Sequence, residues 1–260
     1  MKRKALIGIT NCRKIKNDLG LQCSSRTIRR ALKQFGFAWK STKKAPMLKP
    51  RHFEQRLQFS RENLLFDWNS VIFSDEKRFS LDGPDSNYRY WHHETQEKRI
   101  FSRRQFGGGS VMVWGCFGVR GKSELMICDN SLTSARYQVV LRNGLLPHLQ
   151  ELTKNVLLFM HDNAPCHSAR ATKAWLQAHG IETLRWPACS PDLNPIENVW
   201  GIMTKRIYRQ GRQYVSKDQL IVAIQEAWND LPLELLQKLI GSMSTRVQSV
   251  IERRGGYTGY

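Results

Sequence analysis

The chain has 260 residues, with 41 Lys and Arg against 22 Asp and Glu, which gives a formal net charge of +19. This length suffices for a large buried core, and a hydrophobic content of 41% argues against a disordered chain. No apolar run approaches the roughly 18 residues of a membrane span, and the opening MKRKALIG lacks the long apolar stretch of a signal peptide. We therefore expect neither membrane insertion nor secretion, and we expect the six cysteines, none of them in a CxxC pair, to be reduced thiols.

The positive charge is concentrated at one end of the sequence. Residues 1–50 contain 14 Lys and Arg but a single acidic residue, Asp18. A strongly basic segment attached to a folded body indicates a polyanionic partner, most often nucleic acid. A solubilising tail or a basic surface of the ribosomal type is the alternative.

The basic segment contains two predicted helices separated by a glycine turn. The first covers Cys12–Asp18. Ser24 or Ser25 is suited to be the N-cap of a second helix over residues 26–35, and Gly36 is suited to end it. The apolar positions of the second helix share one face, at spacings of four and three residues: Ile28, Leu32 and Phe35.

A short helix, a tight turn and a capped basic helix are typical of a helix-turn-helix that binds DNA. An ordinary helical hairpin with a solvated basic face is the alternative. The residues expected to contact DNA lie off the apolar face of the second helix or in the basic segment that follows it: Arg26, Thr27, Arg29, Arg30, Lys33, Lys43 and Lys44.

The composition predicts three segments. Residues 1–39 form the helix-turn-helix module. Residues 40–51, KSTKKAPMLKPR, are polar and basic and contain two prolines, so we predict a linker there. Residues 52–260 form the large domain, which opens with a helix over residues 52–67.

From residue 71 the hydrophobic pattern changes to that of strands. Early strands in hairpins, followed by alternating strands and helices, are typical of an α/β domain with a mixed sheet. The predicted strands cover residues 71–75, 78–82, 88–91, 98–101, 111–118, 123–128, 156–162 and 183–186. The predicted helices cover residues 133–152, 169–179, 194–208, 217–229 and 233–252.

Three acidic residues occupy positions suited to a metal site. Asp75 closes the first apolar strand, Asp162 closes a later one, and Glu197 lies just inside a helix. Functional groups of open α/β sheets collect at the carboxyl ends of strands, and hard cations such as Mg²⁺ prefer carboxylate oxygens. Two such ions, roughly 3.5–4 Å apart, can activate an attacking oxygen and stabilise a leaving oxygen at phosphorus.

Each of these acids has a purely structural alternative. An aspartate at a strand end is often a turn residue that caps the next loop. Glu197 follows Asn194 and Pro195, so Asn-Pro-Ile-Glu reads equally well as a capping box at a helix start. Spacing alone does not decide between a metal site and these local roles.

Four segments of the sequence resemble one family. VIFSDEKRFSLDG, GGGSVMVWG, MHDNAPCHSA and WPACSPDLNPIENVWG are similar, in this order, to the catalytic domain of Tc/mariner superfamily transposases, nearest to the Tc branch. The 34 residues between Asp162 and Glu197 match the spacing of that branch. The resemblance covers roughly residues 45–260.

The resemblance implies an RNase H-like fold, with a mixed sheet and flanking helices, behind the helix-turn-helix module. It implies an Asp-Asp-Glu site at Asp75, Asp162 and Glu197 that binds two Mg²⁺ or Mn²⁺ ions. It also implies cut-and-paste movement of a DNA element, with inverted-repeat ends as substrate and TA dinucleotides as targets. The expected partner is double-stranded DNA, on which the protein assembles as a homodimer, and the expected location is the nucleus.

The N-terminal region departs from the family pattern, which has two helix-turn-helix units before the catalytic domain. This chain has room for one, so we expect a shortened DNA-binding region. Two rival functions follow: a catalytically inactive, transposon-derived DNA-binding protein, and a structure-selective nuclease on the same fold. The intact set of three acids argues against the first.

Several further residues have two interpretations. His167, five residues after Asp162, is a candidate neighbour of the active site or a satisfied loop histidine. His161, Cys166 and His167, with Cys189 nearby, match no common zinc spacing. The glycines at 107–109 lack the Gly-Lys-Ser/Thr of a phosphate loop. We expect three tryptophans to pack in the core rather than to stack on bases: Trp114, Trp186 and Trp200.

Overall fold

The computed structural model of this chain describes residues 12–37, 47–83, 109–129, 131–152 and 158–260. It divides into two compact units, Met1–Met47 and Leu48–Tyr260. No helix in these ranges is both long enough and apolar enough to cross a membrane. All six cysteines lie within them and are free thiols.

The first unit contains the two predicted helices, α1 (Cys12–Asp18) and α2 (Ser25–Gln34). Ser24 is the N-cap of α2, because its hydroxyl accepts a hydrogen bond from the backbone N–H of Thr27 at 3.1 Å. Ile28 is fully buried, as its place on the apolar face predicts. Phe35, predicted as the last residue of the helix, is instead its C-cap residue and is 50% exposed.

The second unit opens with α3 (Pro50–Glu62). The predicted helix of residues 52–67 is displaced, because Pro50 takes the first helical position, where its missing N–H costs nothing. The linker predicted to reach residue 51 therefore ends inside a helix. Lys43 and Lys44 lie outside the described residues.

The described part of the second unit contains a six-stranded sheet, and this sheet is mixed, as predicted. Four strands neighbour one another in the order β3-β2-β1-β5, β6 extends the β5 side, and β4 also pairs with β2. Strands β1 and β2 are antiparallel, whereas the β1–β5 and β5–β6 pairs are parallel. The strands are β1 (Val71–Ser80), β2 (Ser110–Gly118), β3 (Gly121–Lys122), β4 (Met126–Cys128), β5 (Leu158–Met160) and β6 (Glu182–Thr183).

The first strand corrects the sequence-based prediction. Two strands were expected at 71–75 and 78–82, but β1 is a single strand, and Asp75 lies in its middle. The long strand β2 accounts for this, since it offers antiparallel partners from Phe73 as far as Ser80. The parallel ladder with β5 ends earlier, at Phe73 opposite Met160. The strands predicted at 88–91 and 98–101 lie outside the described residues.

Helices cover both faces of the sheet, and the alternation along β1 divides the core. Val71 and Phe73 face a cluster formed with the helices after residue 195, whereas Ile72 faces a cluster formed with the helices between residues 134 and 178. The helices of the second unit that follow the first strands are α4 (Ser134–Val140), α5 (Leu149–Leu152), α6 (Pro165–Ser168), α7 (Arg170–Ala178), α8 (Ile196–Ile207), α9 (Lys217–Asn229), α10 (Leu233–Gly241) and α11 (Met243–Glu252).

Two long predicted helices are interrupted. Between α4 and α5 the chain forms a π-helical turn (Leu141–Leu145) and a 3₁₀ turn (Leu146–His148). Gly144 allows close approach there, since a Cβ would lie 2.7 Å from the Trp114 ring, and Pro147 lacks the N–H of a regular helix. The helix predicted over 233–252 is divided at Ser242 into α10 and α11.

Candidate active site

The parallel pairing of β1 and β5 places Asp75 and Asp162 at the same edge. Phe73 lies opposite Met160, and each aspartate comes two residues further along its chain. Ser74 ties the two segments together, because its hydroxyl donates a hydrogen bond to the Met160 carbonyl at 2.9 Å. Asp75 therefore does not end its strand, but it does follow the last parallel pair.

Trp200, in α8, orients the side chain of Asp75. The indole N–H of Trp200 donates to its carboxylate Oδ2 at 3.1 Å. Burial, and then the negative charges of Glu197, Glu76 and Asp162, raise the pKa of Asp75 well above its usual value. The charges of the three neighbouring carboxylates therefore disfavour the ionised form of Asp75 when no cation is bound. Trp200 is fully buried, as expected, but it also makes this polar contact.

Glu197 lies in the first turn of α8 and extends toward β1. Its Oε2 is 3.8 Å from the Lys77 ammonium. The capping-box alternative for Glu197 is wrong, because the Asn194 N–H donates to the Pro191 carbonyl at 3.1 Å. Asn194 instead uses its own side chain, which accepts from the Ile196 N–H at 3.3 Å.

The Asn194 side chain also fixes the start of α8 against the sheet. Its amide donates to the Ser74 carbonyl at 3.2 Å, and Asn194 is only 5% exposed. Ser74 therefore binds both Met160 of β5 and the turn before α8. This hydrogen-bonded junction sets the relative positions of Asp75, Asp162 and Glu197.

Asp162 is held through one oxygen. Its Oδ1 accepts hydrogen bonds from the Ala164 N–H at 2.8 Å and from Nδ1 of His167 at 2.7 Å. Burial opposes ionisation of Asp162, but these two hydrogen bonds outweigh it and lower the pKa. No hydrogen-bond partner of Oδ2 is found in the described ranges.

His167 lies between two carboxylates. Its Nε2 is 3.2 Å from Oε1 of Glu76, the residue after Asp75, and its side chain is 3% exposed. Burial lowers the pKa of His167, yet the hydrogen bonds to Asp162 and Glu76 dominate and raise it to about 10. His161, by contrast, has its pKa lowered to about 4 by burial and by the neighbouring His167.

The turn that precedes α8 is anchored by Asp192. Arg56 of α3 is fully buried and makes two parallel hydrogen bonds to the Asp192 carboxylate, each of 2.8 Å. The Thr258 N–H donates to the same carboxylate at 2.8 Å. Arg246 of α11 donates to the Asp192 carbonyl at 2.9 Å. Helix α3, α11 and the C-terminal residues thus all bind the turn that delivers Glu197.

The chemistry of the donors fits a hard divalent cation. Asp75, Asp162 and Glu197 offer carboxylate oxygens, and their mutual repulsion is what a bound cation relieves. Within the described ranges, no three His, Cys, Asp or Glu side chains already converge as a metal-binding group. The cysteines and histidines considered for zinc form no such group in these ranges either. His161 and His167 stack on each other instead.

The predicted DNA-contact residues of α2 are exposed: Arg26, Thr27, Arg29, Arg30 and Lys33. The Thr27 hydroxyl is 3.0 Å from that of Ser24, so Thr27 also takes part in the N-cap. Trp114 and Trp186 are buried in the core, as expected.

Sequence reasoning missed the polar contacts of four residues around the site. Glu76 directly follows Asp75, and alternation along a strand could have shown that the two side chains leave on opposite faces. Trp200, one turn after Glu197, shares a helix face with it. The Arg56–Asp192 pair joins residues 136 positions apart, and no local pattern indicates it.

Comparison with known proteins agrees with this architecture. A family model described as DDE superfamily endonuclease matches residues 70–221. A helix-turn-helix model of Tc3-type transposases, described as transposase, matches residues 9–65. The second match includes α3, which packs in the larger unit.

Full-length relatives and solved structures extend this result. The Tc3 transposable element transposase of Caenorhabditis elegans is 38% identical over 259 residues, which cover 99% of this chain and 79% of the relative. A Mos1 transposase paired-end complex with the left transposon end has a TM-score of 0.78 at 20% identity, over 96% of this chain and 76% of that one. A Mos1 paired-end complex with Mn has a TM-score of 0.76 at 21% identity, over 96% of this chain and 75% of that one. The structures show a shared fold, and the matches in sequence show that the chain belongs to the Tc/mariner superfamily of DDE transposases.

Proposed function

We propose that this transposase cuts DNA at the inverted-repeat ends of its element and joins the freed ends to new DNA, with Asp75, Asp162 and Glu197 as its catalytic residues. The observation that carries this proposal is that the three carboxylates belong to elements joined at one edge of the sheet: β1, the end of β5 and the start of α8. Their strand register and the Ser74 junction support a common site. Membership of a DDE endonuclease family supports the same chemistry.

The three carboxylates would hold Mg²⁺ or Mn²⁺, and we propose two ions. When bound, they supply Lewis-acid activation of an attacking oxygen and stabilisation of a leaving oxygen. The protein positions the ligands: Trp200 holds one oxygen of Asp75, and His167 holds one oxygen of Asp162. Solved Mos1 paired-end complexes contain Mn or the left transposon end, which supports a divalent ion and DNA at this kind of site.

Residues 1–39 form the proposed DNA-binding module, and the basic linker proposed after it ends before α3 begins at Pro50. The excess of 13 positive charges in residues 1–50 favours phosphate contacts. The exposed side chains of α2 that we expect to face DNA are Arg26, Thr27, Arg29, Arg30 and Lys33. We further propose TA dinucleotides as targets, a homodimer on DNA because an element has two ends, and action in the nucleus.

A strand-joining assay separates this proposal from its rivals. The protein, duplexes carrying the inverted repeat of its element, and a TA-containing target plasmid are incubated with Mg²⁺. We expect 3′-hydroxyl ends to be released and joined at TA, and joining to be lost on Asp75→Ala. Cleavage without joining would indicate a nuclease, and DNA binding without cleavage would indicate an inactive transposon-derived DNA-binding protein.

A further inference from the structure

A buried imidazole connects the strand that carries Asp75 with the segment that carries Asp162. His167, in α6, lies 2.7 Å from Oδ1 of Asp162 through Nδ1 and 3.2 Å from Oε1 of Glu76 through Nε2. Its side chain is 3% exposed, and that of Glu76 is 17% exposed. A carboxylate oxygen accepts, so each ring nitrogen acts as the donor in this arrangement.

Aromatic packing fixes the orientation of this imidazole. The Tyr137 ring centroid lies 4.1 Å away, and the His161 ring stacks on it at 5.1 Å with an angle of 10° between the planes. The Tyr137 hydroxyl binds Nδ1 of His161 at 3.1 Å, which fixes the second ring in turn. The His167 ring therefore has little freedom to rotate, and its two N–H groups point in set directions.

Asp162 needs such a partner because its own side chain is 56% exposed. A solvated aspartate samples several rotamers, and ordering it costs free energy that a ligand must supply. The bond from His167 and the bond from the Ala164 N–H both engage Oδ1. Together they hold the carboxylate through Oδ1, and no partner of Oδ2 is found among the described residues.

We propose that His167 and Glu76 are positioning residues of the active site, with Glu76 orienting His167 and His167 fixing Asp162 so that Oδ2 is ready to bind a divalent cation. This inference rests on the proposed role of Asp162 as a metal ligand. Hydrogen-bond partners of metal ligands commonly change metal affinity or activity 10- to 100-fold. Glu76 is a neighbour of Asp75 in sequence, but it acts here through the other face of β1.

A direct test measures binding of Mn²⁺ alone to the DNA-free full-length protein by isothermal titration. His167→Phe retains an aromatic ring against Tyr137 but removes both N–H donors. We expect it to weaken Mn²⁺ binding by about 10- to 100-fold. His167→Asn places an amide donor near the position of Nδ1 and should restore part of the affinity. His167→Gln extends toward Glu76 and should restore less.

This ranking distinguishes positioning from packing. If His167 only packs, the loss of Mn²⁺ affinity in the three variants should follow their loss of melting temperature. If His167 positions Asp162, the loss of affinity should follow which N–H donor each variant retains. Glu76→Gln should weaken binding in the parent protein but have no further effect in the His167→Phe background, because Glu76 acts through the ring. An equal loss in both backgrounds would mean that Glu76 is itself a ligand, which would overturn the proposed role.

The surface pair of His148 and Glu151 provides a matched control. It joins a histidine nitrogen to a carboxylate at 3.4 Å outside the site, so His148→Asn should leave Mn²⁺ affinity unchanged. If Asp162→Asn weakens Mn²⁺ binding and His167→Phe does not, the positioning role is refuted while the metal site stands. If the parent protein binds no Mn²⁺, or Asp162→Asn changes nothing, the proposed function itself fails.

Discussion

Removing the carboxylate of Asp192 should strongly destabilise the larger unit. This carboxylate accepts two hydrogen bonds from Arg56 and one from the Thr258 N–H, all of 2.8 Å. The side chains of Arg56 and Asp192 are 0% and 8% exposed. In Asp192→Ala the guanidinium stays buried with backbone carbonyls as its remaining acceptors, those of Gly255 and Gly256 among them.

The expected loss follows from the burial of the charge left behind. Breaking a buried ion pair by removing one partner costs about 3–5 kcal/mol. For a unit of this size we expect the melting temperature to fall by about 10 °C. Urea unfolding followed by tryptophan fluorescence measures the change, with Asp230→Ala as control. Asp230 pairs with Arg206, but both side chains are half exposed, so that substitution should cost under about 1 kcal/mol.

The pH dependence gives a second measurement on the same pair. Burial raises the pKa of Asp192, but the hydrogen bonds from Arg56 and Thr258 outweigh it, so the pKa lies below the usual value. A depressed pKa contributes stability above the unfolded-state value of about 4, and this contribution is lost as the pH falls through the folded-state value. The stability difference between the parent and Asp192→Asn should therefore shrink below about pH 4. A difference under about 1 kcal/mol at pH 7 would refute the reasoning.

Three further predictions concern the site, the backbone and DNA. Glu197→Gln should leave the free energy of unfolding within about 0.5 kcal/mol of the parent, because there is no capping box to lose. Cleavage of element-end DNA should nevertheless fall at least about 100-fold, and full activity would contradict the catalytic role. Gly255→Ala should cost over about 1 kcal/mol in denaturant unfolding, because Gly255 has a φ of +89° and a Cβ there would lie 2.2 Å from a backbone carbonyl of α3. The control Gly201→Ala in α8 meets nothing within 4 Å and should stabilise the protein. Equal effects of the two substitutions would count against the close approach. Joint replacement of Arg29 and Arg30 by Ala should reduce the slope of log affinity against log salt by about 2 in filter-binding titrations, and an unchanged slope would exclude phosphate contacts by α2.

The elements of the fold were predictable where local patterns are strong. Helix α9 has the predicted bounds, Lys217–Asn229, because Ser216 is a good N-cap and the apolar positions recur with helical period. The break after α4 was not predicted, since its apolar residues continue the same pattern across the interruption. Close approach of Gly144 to Trp114, a contact between distant segments, accounts for the change.

The acids proposed for the site can be named from the sequence, but their surroundings cannot. Asp75 reads as a strand end, because a single sequence does not show that β2 supplies partners as far as Ser80. The pattern around Glu197 fits a cap and a metal ligand equally well, and the cap is excluded only by the structure, in which the Asn194 N–H donates to the Pro191 carbonyl. Alternation along a strand places Glu76 on the face opposite Asp75, but no local pattern indicates its partner His167, which is 91 residues away.

The most direct test of the account is the rate at which parent protein and Asp162→Asn cleave element-end DNA as Mg²⁺ is increased. The parent rate should rise with Mg²⁺ and vanish in chelator, because the carboxylates need the cation for catalysis. Asp162→Asn should bind the same DNA with unchanged affinity and cleave at least about 100-fold more slowly at saturating Mg²⁺. Cleavage that persists in chelator, or an Asp162→Asn rate within a few-fold of the parent, would contradict a metal-dependent site at Asp75, Asp162 and Glu197.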